Sequence, residues 1–335
     1  MALAEILFLS RQDLMGLGIS MPDVIATVEE AIRQLALGQV NQPEKIGLHY
    51  TPDRALHAMP AYIAPQQALG IKWVSSVPAN TERGLPQTAG LVVLNDPDTA
   101  FPVAVMDGTW ITAMRTGAVS AVTARYLGPR RVEVLGLIGC GVQMRTQLLA
   151  LNPTLRPRQV RAFDIRPAAL EAFVAQMQEL VDVPIAACGS AREAVDGADV
   201  VVSATWLLPP QNPPIKRDWL KPGSLMLPID IDSVLEPEVY LTADKFVCDR
   251  WRAILDIHEH GWLPAGLPTL YAELAEVVGG QKPGRESDDE RIVAMNTGMA
   301  LEDVSMAKLA YTRAVQRGVG LRLPFIGSRD ELYQF

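Results

Sequence analysis

The sequence predicts an α/β protein of two domains, one built on a doubly wound parallel sheet and the other a discontinuous α+β domain. Three observations carry this. From residue 132 onward short apolar runs alternate with helical patterns, which implies right-handed crossovers and a parallel sheet covered on both faces. Between residues 57 and 106 strand-like runs follow one another with Pro, Asn and Gly between them, the pattern of a mostly antiparallel sheet. At 335 residues the chain also exceeds the roughly 100–200 residues of one domain.

Element by element, residues 21–38 place Val24, Val28, Ala31, Ile32 and Leu35 at helical spacing, with Ser20 to cap the start, Pro22 suited to the first turn and Gly38 to end it. Strands are expected at 57–63, 70–76, 91–94 and 103–106, backed by that helix. Thr116 is read as the cap of a helix reaching Tyr126 and stopped by Gly128-Pro129. A strand at 132–138 leads into a glycine turn and a helix at 142–151. Strands at 160–163 and 184–187 flank a helix begun by Pro167 and running to about residue 180. Ser190 and Glu193 are read as a capping box, and strands follow at 199–204 and 224–229. The proline-rich stretch 209–214 reads as a loop. A last helix at 301–317 lies between Gly298 and Gly318 and is expected to return to the first domain. The expected domains are therefore 1–128 with 300–335, and 129–299.

Composition narrows the function. The chain is 49% hydrophobic and 20% charged, and 30 basic against 38 acidic residues give a net charge of −8. That balance argues against nucleic acid or an anionic membrane surface as partner. Cys140, Cys188 and Cys248 stand far apart, odd in number and without a C-x-x-C pair, which fits free thiols in a reducing cytoplasm. Residues 1–10 carry Glu5 and lack a basic leader, so they read as a strand, and no uncharged run reaches the ~18 residues that span a bilayer.

The strongest chemical signal is Gly139-Cys140-Gly141-Val142-Gln143-Met144, directly after an expected strand. Gly139 suits a tight turn, and Gly141 lets backbone approach a pyrophosphate at the positive end of the next helix. Met144 stands where the usual third glycine would be. Asp164 closes the next strand, 25 residues after Gly139, where a carboxylate accepts hydrogen bonds from the adenosine ribose and favours NAD. Arg166, two residues on, leaves NADP open. The reading is a Rossmann-type dinucleotide domain.

The ordered set Met59-Pro60, Gly70-Ile71-Lys72, Pro78-x-Asn80, Arg115-Thr116-Gly117-Ala118, the Gly139–Gln143 turn, Ala198-Asp199-Val200-Val201-x-Ser203-Ala204-Thr205, Pro283-Gly284-Arg285 and Gly298-Met299-Ala300-x-Glu302-Asp303 resembles the ornithine cyclodeaminase/mu-crystallin family over nearly the full length. The resemblance implies a homodimer built through the first domain, and a small amino- or imino-acid substrate between that domain and the nicotinamide. It implies hydride transfer at a carbon that carries nitrogen, by an amino-acid dehydrogenase or an imine (ketimine) reductase. A cyclodeaminase that reduces and reoxidises NAD within one turnover is the alternative. A further one is a non-catalytic nucleotide-binding protein like the crystallin.

By the same resemblance Lys72 and Arg115 hold the substrate carboxylate, Arg by two parallel hydrogen bonds and Lys as a point charge. Lys72 is unusual in sitting inside an apolar strand pattern. Lys45 and Met59 would line the substrate, while Thr88, Arg115, Ile165, Ala204, Thr205, Asp232 and Met295 would lie along the cofactor. The acid/base near the reacting nitrogen falls on Asp232, with Asp230 as the alternative because the segment downstream is two residues shorter than in cyclodeaminases. Two departures stand out. His57 replaces the glutamate that would host a second, cationic amine, which weakens ornithine as substrate and makes His57 a proton donor or an anion ligand. Lys45 stands nearest to where many relatives have arginine. His258-x-His260 lacks an accompanying acid–histidine set, so no metal is expected, and no G-x-S-x-G elbow suggests a serine hydrolase. Trp219, Met299 and Met306 read as core or interface.

Overall fold

The computed structural model describes residues 4–51, 54–206 and 215–327; the proline-rich stretch 209–214 lies outside them. The chain packs as two compact units, Met1–Arg115 with Met299–Phe335, and Thr116–Gly298. The break falls inside one helix, whereas the sequence reading put it at the Gly128-Pro129 stop.

In the first unit, eight strands form one sheet. The central strands Arg54–Ile63, Ala68–Ser76, Thr88–Asn95 and Pro102–Asp107 are antiparallel neighbours. Ala4–Leu9 joins Pro102–Asp107 in parallel and is flanked in turn by Leu321–Ile326. Along Ala68–Ser76 burial alternates, with Ala68, Gly70, Lys72 and Val74 buried and Trp73 exposed. That period of two is what a sheet with one covered face requires. The cover includes two helices. Met21–Ala36 starts at Ser20, whose hydroxyl and whose partner Asp23 each satisfy an open backbone N–H, and it buries Val24, Val28, Ala31 and Ile32. Ala300–Arg317 is closed by Gly318 at φ 65° and packs on both the first helix and the sheet.

The second unit alternates strand and helix around a parallel sheet of eight strands. Across the sheet the order is Ile185–Ala187, Gln159–Phe163, Val134–Ile138, Val200–Ser203, Leu225–Pro228, Ile292–Met295, Lys245–Cys248 and Leu270–Glu273. Strands such as Val200–Ser203 are buried at every position, because helices on both faces leave no solvent side. Succession reverses between Val134–Ile138 and Val200–Ser203, and ligands of such sheets bind outside the carboxyl ends of strands at that reversal.

Two local expectations are corrected. The helix assigned to start at Thr116 instead spans Gly108–Leu127, because Asp107 accepts the Trp110 N–H at 2.7 Å and caps it two turns earlier. The capping box at Ser190 is only half formed. Ser190 Oγ accepts the Glu193 N–H, but the Glu193 carboxylate takes the N–H of Gly189 at 2.8 Å rather than that of Ser190.

Candidate active site

Lys72 sits on the covered face of the first unit's sheet, opposite Met59 on one side and Val92 on the other. His57 and Thr88 share that face by the period of two, His57 opposite Val74 and Thr88 opposite Ser76. Burying an ammonium is costly unless it is paired, and the partner comes from the last helix. Asp303 Oδ2 lies 2.6 Å from Lys72 Nζ, and its other oxygen accepts from Arg115 Nε at 3.1 Å. Glu302 Oε2 accepts from Arg115 Nη1 at 2.7 Å. All four side chains are buried, so two cations face two carboxylates. Both acids occupy the first turn of Ala300–Arg317, where a helix favours negative charge. Gln42 fixes that end by accepting the Leu301 N–H at 2.7 Å. Burial, opposed chiefly by Asp303, pulls Lys72 down to about 8, with Arg115 and Lys45 adding to the fall.

In the second unit, the turn after Val134–Ile138 has the shape its glycines demand. Gly139 adopts φ +89°, and a Cβ there would stand 2.6 Å from the Ala204 carbonyl oxygen. At Gly141 a Cβ would meet open space, and the helix Val142–Leu155 that follows has no side-chain cap on its N-terminus. Uncapped amides at a positive helix end beside room for a ligand fit a pyrophosphate. Gln143 Oε1, buried and without a hydrogen-bond partner among the described residues, adds a polar atom at the same end. Arg145 ties the turn down by donating to the carbonyls of Cys140 and Gly141 at 2.6 and 2.9 Å.

Asp164 reaches back to this turn. Its Oδ2 accepts the Cys140 N–H at 2.8 Å, and its Oδ1 accepts the Arg166 N–H at 2.8 Å. Ile165 and Arg166 are exposed, and the Arg166 guanidinium lies over the Trp206 ring at 5.8 Å. The Cys140 thiol is pushed up to about 12 by burial and by Asp164, so it is inert rather than nucleophilic.

The two aspartates after Leu225–Pro228 have separate tasks. Asp230 Oδ1 accepts from Ser203 Oγ, and Oδ2 accepts from both the N–H and the hydroxyl of Thr205. It ties the ends of neighbouring strands together. Between them Ile231 takes φ +61°, a conformation that a β-branched residue adopts only under constraint. Asp232 Oδ2 accepts the N–H of Leu263 at 3.1 Å, and Leu263 is itself at φ +54°. Asp232 Oδ1 is buried with no hydrogen-bond partner among the described residues. Burial raises the carboxyl above the usual range, opposed by the Leu263 N–H. The buried Tyr240 hydroxyl, pushed up to about 12 by burial and by the Asp232 charge, also lacks a hydrogen-bond partner among the described residues.

The structure thus brings Lys72, Arg115 and Met59 together in one unit, and Gly139, Cys140, Asp164, Ala204, Thr205 and Asp230 around one turn in the other. Met295 ends its strand, buried. His258 and His260 each turn Nδ1 to a backbone carbonyl, of Trp262 and Asp256. Sequence reasoning quoted Glu302 and Asp303 within a motif but gave them no task, and it missed Arg145, Leu263 and Tyr240. Two acids in the first turn of a helix, followed by the apolar positions of a buried face, were the available signal for the first pair.

The chain is 36% identical over 332 residues to alanine dehydrogenase of Archaeoglobus fulgidus, covering 96% of this chain and 99% of that one. Among solved structures it superposes with TM-score 0.85 at 34% identity on Thermococcus litoralis Delta(1)-pyrroline-2-carboxylate reductase in complex with NADH and L-proline, covering 95% of this chain and 100% of the other. An archaeal alanine dehydrogenase dimer with bound NAD gives TM-score 0.84 at 33% identity, with 96% and 100% covered. A sequence model matches residues 5–318, and the chain belongs to the ornithine cyclodeaminase/mu-crystallin family.

Proposed function

We propose that this protein is an NAD-dependent oxidoreductase that forms or reduces the C–N double bond of an amino or imino acid. The observation that carries the reading is Asp232, a buried carboxyl group with one satisfied oxygen and one open oxygen, at the carboxyl edge of a nucleotide-binding sheet. Reducing an imine adds a hydride to carbon and a proton to nitrogen. Gly139, Gly141, Val142 and Gln143 would hold the nicotinamide dinucleotide, which would supply the hydride. Asp232 supplies the proton, and its raised affinity for that proton suits the task.

The remaining parts follow from charge. Lys72 and Arg115 hold the substrate carboxylate, Met59 and Lys45 stand beside them, and His57 on the same face offers a proton or accepts a second anionic group. Gly139, Gly141, Val142 and Gln143 cradle the pyrophosphate. Asp164 lies where it repels a 2′-phosphate, which favours NAD over NADP. Thr88, Ile165, Arg166, Ala204, Thr205 and Met295 complete the cofactor's surroundings. The outer face of the first unit's sheet exposes Phe8, Leu48, Trp73, Leu91, Leu321 and Leu323, an apolar patch of the kind that marks an interface, and a second copy of the chain is its occupant. Among the described residues no helix is long and apolar enough to cross a membrane, and three buried free thiols suit a reducing cytoplasm.

The test combines binding with turnover. NADH should bind more tightly than NADPH in a fluorescence titration, and Asp164→Ser should narrow the gap. Lys72→Ala and Arg115→Ala should each lower kcat/KM for the preferred substrate by at least about ten- to a hundredfold with NADH affinity nearly intact, each removing a charge-assisted contact of about 1.5–3 kcal/mol. Wild-type kcat/KM in either variant would refute the carboxylate assignment.

A further inference from the structure

We propose that Asp303 is a positioning residue that keeps the Lys72 ammonium charged and sets its spacing from Arg115. This deepens, and rests on, the reading of Lys72 and Arg115 as the carboxylate-binding cations. A lone ammonium on the covered face of a sheet would shed its proton rather than remain charged. One carboxylate spans both cations, with Oδ2 at 2.6 Å from Lys72 and Oδ1 at 3.1 Å from Arg115. Its backbone belongs to a helix whose first turn is pinned by Gln42, so the pair of cations is held from an element that carries neither of them. The groups facing Lys72 are few. Asp303 attracts it, Arg115 and Lys45 repel it, and the Thr112 hydroxyl lies at 3.5 Å. Glu302 is bound to Arg115, and the leading opposing charge on Lys72 is Asp303. The two neighbouring acids therefore differ in their main partner: Asp303 contacts Lys72 directly, and Glu302 contacts Arg115.

Burial pulls the Lys72 ammonium down to about 8 against the pull of Asp303, so wild-type kcat/KM should fall as pH rises through that region. Replacing the Asp303 carboxylate removes the main charge that opposes burial, and an opposite charge at this range shifts an ionisation by about 1–3 pH units. In Asp303→Asn the alkaline limb of kcat/KM should move down by about that much. The KM for the substrate should be high at neutral pH and recover as the medium is acidified. Asp303→Glu, which restores the charge, should return the limb toward its wild-type position. Glu302→Gln should move the limb less than Asp303→Asn does, whatever it does to KM.

The experiment is the pH profile of kcat/KM for imine reduction by the full chain with saturating NADH. Its probe is Δ1-pyrroline-2-carboxylate, or whichever imine or oxo-acid/amine pair turns over fastest. A limb that stays put in Asp303→Asn, or a loss equal at every pH, overturns the proposal. So does a limb that moves as far in Glu302→Gln. If Lys72→Ala keeps wild-type KM, the reading of the cations fails instead, and the two failures are told apart by that variant.

Discussion

At Asp230 both carboxylate oxygens are taken up by Ser203 and Thr205, whereas Asp232 keeps one oxygen without a partner. Only the second can offer a proton to a substrate nitrogen without breaking existing bonds. Asp232→Asn should lower imine reduction at least a hundredfold, on the ~10²–10⁴ scale of positioned acid–base catalysis, with NADH affinity close to wild type. Asp230→Asn should act mainly through the strand ends it joins, lowering the melting temperature and weakening NADH binding. A rate loss at Asp230 that exceeds the one at Asp232, with stability unchanged, would reverse the assignment. The sequence narrowed the acid to these two residues and stopped there. Their spacing of two would put them on one side of an extended strand, but Ile231 at φ +61° breaks that geometry, and no pattern announces a β-branched residue in that conformation. The partners of Arg115 were hidden for another reason. Asp303 is 188 positions away in sequence, and only the folded chain joins them.

At the scale of elements, the glycine turn makes two opposite predictions. Gly139→Ala forces a side chain into φ +89° and against the Ala204 carbonyl. It should destabilise the protein by at least about 1–2 kcal/mol from conformation alone and abolish NADH binding. Gly141→Ala meets no atom within 4 Å at an ordinary φ of −79°. Its melting temperature should stay near wild type while NADH affinity drops about tenfold, or ~1.4 kcal/mol, if the space it fills is the one proposed for the pyrophosphate. Thermal melts with fluorescence titration separate the two, and unchanged NADH affinity in Gly141→Ala would mean that the pyrophosphate lies elsewhere. This turn was legible because a strand, two glycines and a helix leave few alternatives. Lys245–Cys248 and Ile292–Met295 were not, since four-residue runs buried at every position show neither alternation nor helical period, and neither was Leu270–Glu273, a four-residue edge strand that buries only Ala272. The helix Gly108–Leu127 was half read, because its true cap, Asp107, sits at the end of a strand.

For the whole molecule, the antiparallel sheet has a covered face that carries Lys72 and an outer face that exposes Trp73 opposite Leu91. Burying that outer face in a second copy predicts a dimer in solution. Introducing charge there by Trp73→Lys with Leu91→Lys should shift light-scattering mass toward monomer, and a dimer unaffected by the pair would place the interface elsewhere. The order of motifs along the chain made the two-part architecture and the family legible before any contact was known. The break between Arg115 and Thr116 was not, because it falls inside a continuous helix with no turn residue to mark it.

The central claim, net hydride transfer to an imine rather than cyclising deamination, rests on Asp232 as the acid and on His57 in place of a carboxylate for a second ammonium. The direct measurement sets two reactions side by side. One is NADH consumption with a cyclic imine acid, or with an oxo acid plus amine. The other is proline and ammonia release from ornithine with catalytic NAD. An imine reductase should oxidise NADH stoichiometrically in the first and give little product in the second. Robust proline formation from ornithine without accumulating NADH would contradict it.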